Sequence, residues 1–281
     1  MDETLPFEGF VTLFFATIGT CFAMMIWVEA LAPLNSDQEK NQVRHAIRNF
    51  GLWLTAFVVA DLVIGIAFLK IPDHLYQISF GLFYWLPLPS SVLLIIAGIL
   101  VIDVFSYLFH RLLHQIPWLW QIHSVHHSDI ELDVTTSIRN HPFDLVLGNL
   151  WKAVGCLLFG IPLWIIALRE IIFLPFILLQ HANIRVPDRL EYILSLAVIS
   201  PAIHKHHHSI IRAEHDSNYG TGLVIWDKLF RTFQQPRLPI PKELGVRGLQ
   251  EEKWQSIMGM LLTPFRYKPE KITAIPKPDG V

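Results

Sequence analysis

The chain contains the stretch Asp103-Val-Phe-Ser-Tyr107-Leu-Phe-His110-Arg-Leu-Leu-His114, followed closely by His123-Ser-Val-His126-His127. The motif His204-Lys-His-His207-His208 repeats the second pattern further along. On a helix, side chains three or four residues apart lie on one face, so each segment can present several imidazoles to one ion. Imidazole is the commonest neutral metal ligand in proteins. These three segments, called here the first, second and third histidine boxes, therefore predict a metal site.

The number of imidazoles predicts more than one metal. A tetrahedral metal takes four ligands, and the boxes supply twice that number. We therefore expect two metals side by side, with His206 as an extra residue between ligand positions. The box ligands predicted on spacing are His110, His114, His123, His126, His127, His204, His207 and His208.

The composition around the boxes is that of a membrane protein. Of 281 residues, 52% are hydrophobic and only 16% are charged, whereas soluble domains carry about 25% charged residues. The net charge of −2 gives no reason to expect nucleic acid as a partner. Cys21 and Cys156 both lie in apolar runs, so we interpret them as buried free thiols.

Long apolar runs predict the architecture. The run 145–180 is long enough to cross a bilayer twice, with a turn at Gly160-Ile-Pro162. The run 190–199 is shorter and is predicted to be interfacial. The fold class expected is an all-α, multi-pass membrane helical bundle. Its predicted spans are 10–31, 50–69, 86–109 and the double crossing 145–180.

Basic residues predict the orientation. Lys40, Arg44 and Arg48 lie between the first two runs, so this loop should be cytoplasmic. Following the spans from there brings all three boxes, with His141 and His181, to the same side. A cytosolic helical cap would then hold the metals. Both a bacterial inner membrane and the endoplasmic reticulum fit this topology.

The chain divides into three predicted regions. Residues 1–85 form an N-terminal transmembrane region, residues 86–235 carry the histidine boxes, and residues 236–281 form a cytosolic tail ordered in part through 254–262. The acidic start lacks the basic residues of a cleaved signal peptide, so the first run is expected to be retained.

The boxes resemble those of the fatty acid hydroxylase superfamily, which includes sterol desaturases, C-4 sterol methyl oxidases and alkylglycerol monooxygenase. The likeness also extends to Asp216-Ser-Asn218-Tyr219-Gly220 and to Trp226-Asp227-Lys-Leu-Phe230, and covers roughly 93–233. One residue departs from the pattern: Arg231 stands where the family usually has glycine. This departure affects the expected conformation of the local turn and not the expected chemistry.

This resemblance implies two non-haem irons that use O2 to attack an unactivated C–H bond of a lipid. Zinc could replace iron in purified protein. The resemblance adds His181 to the ligands. It leaves His141, in Arg139-Asn-His-Pro142, either as part of the metal site, as a ligand or as a hydrogen-bond donor to a ligand, or as a helix-start histidine.

Acidic residues inside the predicted spans are candidates for function. Asp103 lies on the helix face of His110 and is expected either to orient a ligand imidazole or to make a buried packing hydrogen bond. Asp61 has no motif around it and is expected to be structural. His45 and His74 are expected to be ordinary loop histidines.

The sequence also bears on partners and on rival functions. It shows no haem-attachment motif and no dinucleotide fingerprint, so electrons should come from a cytochrome b5-like carrier, a ferredoxin or a reductase. The lipid substrate should enter from the bilayer. A membrane metal carrier and a zinc hydrolase remain alternatives, and ligand spacing does not separate hydroxylation from desaturation. The lipid substrate and the oligomeric state stay open.

Overall fold

The described residues of the chain form an all-helical fold, which confirms the predicted fold class. A computed structural model describes residues 7–34, 42–77, 80–86, 90–235 and 243–269. A short 3-10 helix, Val134–Ile138, lies between α5 and α6. The α-helices are α1 Phe7–Leu31, α2 Gln42–Gln77, α3 Leu82–Trp85, α4 Ser91–Gln115, α5 Pro117–His127, α6 Pro142–Phe159, α7 Leu163–His181, α8 Asp188–Ser195, α9 Pro201–His207, α10 Arg212–His215, α11 Ile225–Leu229, α12 Glu252–Gln255 and α13 Ile257–Arg266.

Among the described residues, four helical segments are long and apolar enough to cross a membrane. Helix α1 contributes a shorter apolar stretch, Phe15–Leu31, where the sequence predicted a further span. Large apolar side chains point outward, such as Trp27, Leu62 and Val92, which are 65%, 73% and 63% exposed. Such a surface suits lipid rather than water. The four segments are Gln42–Ile64, Ser91–Gln115, Pro142–Phe159 and Trp164–His181.

The boundaries predicted for the second span are wrong. Helix α2 begins at Gln42, inside the stretch predicted to be a loop, and extends beyond Leu69. The polar residues of its first turns do not mark a loop, because His45 and Asn49 are buried against the chain after α5. His45 is therefore not a loop histidine. The side chain of His74 lies outside the described residues.

Glu29, near the end of α1, connects this helix to two other segments. One carboxylate oxygen of Glu29 accepts hydrogen bonds from the backbone N–H groups of Val134 and Asn183, at 2.8 and 2.6 Å. Helix α1 is thereby tied both to the 3-10 helix and to the chain that leaves α7.

The predicted turn at residues 160–162 is present between α6 and α7. Gly160 has φ 70° and ends α6 in the left-handed region that favours glycine. It lies against the backbone of Gly81, and a Cβ on either residue would collide with the other segment. The helical hairpin therefore returns the chain to the end of the bundle where α6 began.

Prolines and caps bring the three boxes to that end. Helix α4 ends with His114 in its last turn, and Pro117 starts α5 at a sharp corner. Helix α7 ends at His181. Helix α9 starts at Pro201, with the Ser200 hydroxyl accepting from the backbone N–H of Ile203.

The described part of the C-terminal region packs onto this end. Met260 of α13 is fully buried with Leu52 of α2 and Val125 of α5. Ordered helices here agree with the order expected around 254–262. Residues 236–242 and 270–281 of the predicted tail lie outside the described residues.

Candidate metal centre

Eight of the predicted ligands form two compact groups. In each group the ligand atoms lie within 4.8 Å of one another, and every residue is buried. The first histidine group consists of His110, His114, His127 and His207. The second histidine group consists of His126, His181, His204 and His208.

Adjacent histidines belong to different groups. His127 joins the first group and His126 the second, and the pair His207 and His208 divides in the same way. Successive side chains on a helix point about 100° apart, so a His-His pair can supply one imidazole to each of two neighbouring sites. The rings of His127 and His208 stack at a centroid distance of 4.4 Å where the groups meet.

Hydrogen bonds to backbone carbonyls fix the tautomers in the first group. The Nδ1–H of His110 donates to the carbonyl of Tyr219 at 2.9 Å, and the Nδ1–H of His207 donates to that of Ser217 at 2.6 Å. In a neutral imidazole the Nε2 atom then carries a lone pair. The two Nε2 atoms face each other at 3.1 Å. Two lone pairs at this distance repel unless a cation lies between them, so the arrangement fits a metal.

The second group contains a chain of facing Nε2 atoms. The Nε2 atom of His181 lies 3.3 Å from that of His126 and 2.9 Å from that of His204, which lies 3.2 Å from that of His208. Each Nε2 atom has one hydrogen or one lone pair. Hydrogen bonds alone therefore do not satisfy all three contacts, whereas one cation accepts all four lone pairs.

Burial keeps the imidazoles outside the apolar spans neutral. Removal from water, followed by the charge of neighbouring imidazoles, holds the pKa values of His126, His127, His204, His207 and His208 well below the usual value. Neutral imidazole is the form that binds metal, so the site is poised for binding near neutral pH.

We expect the metal-free protein to lose stability as the pH falls below about 6.5, the usual pKa of histidine in an unfolded chain. Below that pH the imidazoles of the unfolded chain bind protons, whereas the buried imidazoles of the folded protein stay neutral. Each such imidazole lowers the free energy of unfolding by about 1.4 kcal/mol per pH unit. Melting temperatures of chelator-treated protein in detergent, from neutral to mildly acidic pH, measure this. His208→Gln should give a shallower slope, and a flat profile for the parent protein would contradict the account.

His123 lies beside both groups without belonging to either. Its ring centroid is 4.9 Å from those of His110 and His127. Its Nδ1–H donates to a carboxylate oxygen of Asp144 at 2.7 Å, so its Nε2 lone pair faces inward. Among the described residues that buried Nε2 atom has no partner. His123 can therefore serve as an added metal ligand.

Replacing Asp144 with asparagine should lower metal affinity about 10- to 100-fold, because the tautomer of His123 would no longer be fixed. Metal titration of chelator-treated protein measures the affinity. In a His123→Ala background the same substitution should have no further effect, since the imidazole that Asp144 orients is gone. Equal losses in both backgrounds would show that Asp144 acts in another way.

His141 and His206 lie outside both groups. His141 is the N-cap of α6, where its Nδ1 atom accepts from the backbone N–H of Phe143 at 3.1 Å. Of the two roles open for His141, the structure places it in the helix-start one. His206 faces Gln234, with its Nε2 atom 3.4 Å from the amide oxygen, so its status as an extra agrees with its position.

Asp103 does not orient an imidazole through a direct contact. One of its oxygens binds Arg169, and the other accepts from the indole N–H of Trp226 at 2.7 Å. The first-named of its two expected roles is therefore wrong, because Arg169 reaches across from α7 and takes the carboxylate. The alternative, a buried packing interaction, describes what is present.

Sequence reasoning missed Arg139. Its side chain is fully buried and donates to the carbonyl of Val125, to Ser128 and to Gln255, at 2.8–3.0 Å. These bonds hold the end of α5, directly beside His126 and His127. The sequence indicated a role for the Arg-x-His-Pro stretch through His141, but the residue of this stretch that contacts the second box is Arg139.

A buried ion-pair network supports the same segment. The ring nitrogens of His45 bind Asp129 and Asp133, each at 2.8 Å. Asn49 links this network to Arg139 through a hydrogen bond of 3.0 Å. Only Ser128 separates Asp129 from the second box, and this closeness is the one feature of the sequence that indicated its position.

The motif after the third box positions His110. The Asp227 carboxylate accepts from the backbone N–H groups of Tyr219 and Gly220, both at 2.8 Å, and so fixes the carbonyl that His110 uses. Arg231, which departs from the family pattern, has φ 57°. This is the left-handed conformation that glycine adopts without cost, so the turn is kept despite the arginine.

A cavity of about 230 Å³ opens onto the histidines. His110 borders it from the first group and His126, His181 and His204 from the second. Apolar side chains of α4, α6 and α7 line part of it, among them Phe109 and Leu145. A small organic group can therefore reach both histidine groups from between the apolar helices.

The fatty acid hydroxylase family matches residues 95–232, almost the stretch over which the motifs resemble it. Residues 95–232 form a fatty acid hydroxylase domain. This confirms the relationship expected from the boxes and from the motifs that follow them. No solved structure matches the chain significantly.

Curated relatives in the superfamily are enzymes of lipid oxidation. Ornithine lipid hydroxylase OlsE of Rhizobium tropici is 29% identical over 260 residues, which is 89% of this chain and 74% of that protein. Human lathosterol oxidase is 29% identical over 206 residues, which is 70% of this chain and 63% of that protein. Human alkylglycerol monooxygenase is 30% identical over 139 residues, which is 49% of this chain but only 30% of that protein.

Proposed function

We propose that the chain is a membrane-bound lipid hydroxylase that uses O2 at a pair of iron ions held by the two histidine groups. The observation that carries the proposal is the cavity, because it borders imidazoles of both groups and lies between apolar helices. A lipid can enter from the side without crossing water, and its reacting carbon can lie beside the metals. Bound iron would supply the activation of O2.

The protein holds the imidazoles in position and keeps them away from bulk water. The carbonyls of Tyr219 and Ser217 and the Asp144 carboxylate hold imidazoles with Nε2 pointing inward. All eight imidazoles of the two groups are buried, which limits the access of water to a reactive centre. Neutral imidazoles leave more positive charge on the metals than carboxylates would, which suits iron in an oxidising reaction.

Hydroxylation is favoured over desaturation by a relative whose match covers 89% of this chain and 74% of its own length. That protein acts on ornithine lipid, so a lipid with an amino-acid head group is the first substrate to test. The electrons would come from a cytochrome b5-like carrier, a ferredoxin or a reductase. We also propose that the histidine end of the bundle faces the cytoplasm, on the strength of Lys40, which precedes α2 in the sequence, and of Arg44 and Arg48 in its first turns.

The position of the ligands favours an enzyme over a metal carrier. A carrier is expected to bind its cargo near the membrane midplane. Here His114 lies in the last turn of α4, His181 ends α7, and the third box lies on α9, which is not one of the apolar spans. Metal uptake into vesicles would favour the carrier instead.

Oxygen labelled with its heavy isotope tests the proposed reaction. The purified protein, supplied with ferredoxin, ferredoxin reductase and ornithine lipid, should place one labelled atom from O2 into the lipid, as detected by mass spectrometry. Label arriving from water instead would indicate hydrolysis by the metal centre, and a lipid unchanged under both labels would refute the hydroxylase proposal.

A further inference from the structure

Four charged side chains form a chain that connects α6, α7 and α4. Lys152 of α6 binds Glu170 of α7 at 3.0 Å, Glu170 also accepts from Arg169 at 3.1 Å, and Arg169 binds Asp103 of α4. All four lie within segments long and apolar enough to span a membrane. Charges at such depth are costly and commonly mark a functional path.

The inner half of this chain is buried, and of its side-chain polar atoms only the Nε of Arg169 lacks a partner among the described residues. Asp103 is 0% exposed, and it shares its two oxygens among Arg169, Trp226 and the backbone of Leu223. The side chain of Arg169 is 3% exposed and also donates to Thr221. This half serves as an anchor between α4 and α7.

The outer half is open to the cavity. The side chains of Lys152 and Glu170 are 20% and 29% exposed, and both line the cavity that borders the histidines. An ammonium group has three donors, and the described contacts of Lys152 use one of them. Each oxygen of Glu170 accepts one bond and can accept more. A positive and a negative group therefore face the same small space with hydrogen-bonding capacity left over.

We propose that Lys152 and Glu170 recognise the head group of a zwitterionic lipid, with Lys152 binding its carboxylate and Glu170 its ammonium. This rests on the proposed function and specifies its substrate class. Lys152 and Glu170 already pair with each other, and a neutral polar group would add only the weaker hydrogen bonds of an uncharged partner to either side chain. A zwitterion matches both charges, and its apolar chain can lie among the helices that border the cavity.

Binding measurements with charge-deleted lipids test this directly. The probes are ornithine lipid, its N-acetylated derivative, which lacks the ammonium, and its methyl ester, which lacks the carboxylate. Affinities are measured by native mass spectrometry of the metal-loaded protein in detergent, without electron donor, so that turnover is not required. The parent protein should bind ornithine lipid at least about tenfold more tightly than either derivative, since a charged hydrogen bond is worth this much.

Each variant should lose one preference and keep the other. Glu170→Gln should bind ornithine lipid and the N-acetylated lipid equally while still rejecting the methyl ester, and Lys152→Gln should show the reverse. Both glutamines keep a hydrogen bond between the helices, so a purely structural role predicts equal weakening toward all three lipids. That result, or unchanged selectivity, would overturn the proposal. Lys253→Gln, in an exposed pair with Glu251 at 2.8 Å, is the matched control and should bind as the parent does.

Two further comparisons separate the sources of failure. Nα-Acetylornithine carries the same carboxylate and ammonium without the long acyl chains, and it should not displace ornithine lipid at comparable concentration. If it does, the site takes a soluble amino acid and the lipid proposal fails. Selective binding without any oxygen incorporation would sink the hydroxylase proposal and leave the recognition pair standing. Oxygen incorporation with no charge selectivity would leave the hydroxylase proposal standing and would refute the recognition role of Lys152 and Glu170.

Discussion

Replacing His207 with alanine should remove the metal of the first histidine group, and replacing His204 should remove that of the second. Each group offers four nitrogens, and the loss of one leaves a site of three ligands. Loss of a residue that merely orients a ligand costs about 10- to 100-fold in affinity or activity. Loss of a ligand itself should therefore reduce lipid oxidation at least about a hundredfold.

Elemental analysis of the purified variants measures the metal content, and product formation measures the turnover. The third box supplies its own control in His206, which is buried beside the ligands but faces Gln234. His206→Ala should keep both metals and most of the activity. The two-group arrangement would be contradicted if His207→Ala kept a full complement of metal, or if His206→Ala lost as much as its neighbours.

Replacing Asp103 with alanine should destabilise the fold by about 3 kcal/mol, the lower end of the cost of breaking a buried ion pair, because Arg169 keeps Glu170 but loses its fully buried carboxylate. The indole N–H of Trp226 would also lose its acceptor. For a chain of this size we expect the melting temperature of the protein in detergent to fall by about 10 °C. Asp61→Ala is the control, since Asp61 is an exposed aspartate in an apolar helix and should have little effect.

A double variant distinguishes two causes of the lost stability, an imbalance of buried charge and the loss of packing. Asp103→Leu with Arg169→Met removes both charges and fills much of the space, and such replacements are often neutral. It should therefore recover part of the stability lost in Asp103→Ala. If the double variant is less stable than the single one, the bonds of Arg169 to Glu170 and Thr221 matter more to the fold than its pairing with Asp103.

The chemistry of the site was predictable because ligand spacing is a local property. His110 and His114 share a face on any helix, and so do His204 and His208. The turn at Gly160 was predictable for the same reason, since glycine followed closely by proline favours a break in a long apolar run.

The division of the ligands between two groups was not predictable from spacing. The first group combines residues from all three boxes, and the second combines residues from the second and third boxes with His181 of α7. Membership therefore depends on how α4, α5, α7 and α9 are rotated against one another. His123 illustrates the limit. It shares the spacing of a ligand, yet Asp144 of α6 draws it to the edge of both groups.

Buried polar networks also depend on distant partners. His45 looked like a loop residue because its neighbours are polar, but Asp129 and Asp133 bind it from far along the chain. Asp103 is paired with Arg169, 66 residues away. A charge within a span can be recognised from sequence as unusual, but its partner is set by tertiary packing.

The most direct test of the two-metal account is an anomalous difference map, recorded at the iron edge, from crystals of protein expressed with iron and purified without chelators. The account predicts two peaks, one among His110, His114, His127 and His207 and the other among His126, His181, His204 and His208. A single peak, or iron bound elsewhere while both groups stay empty, would contradict it.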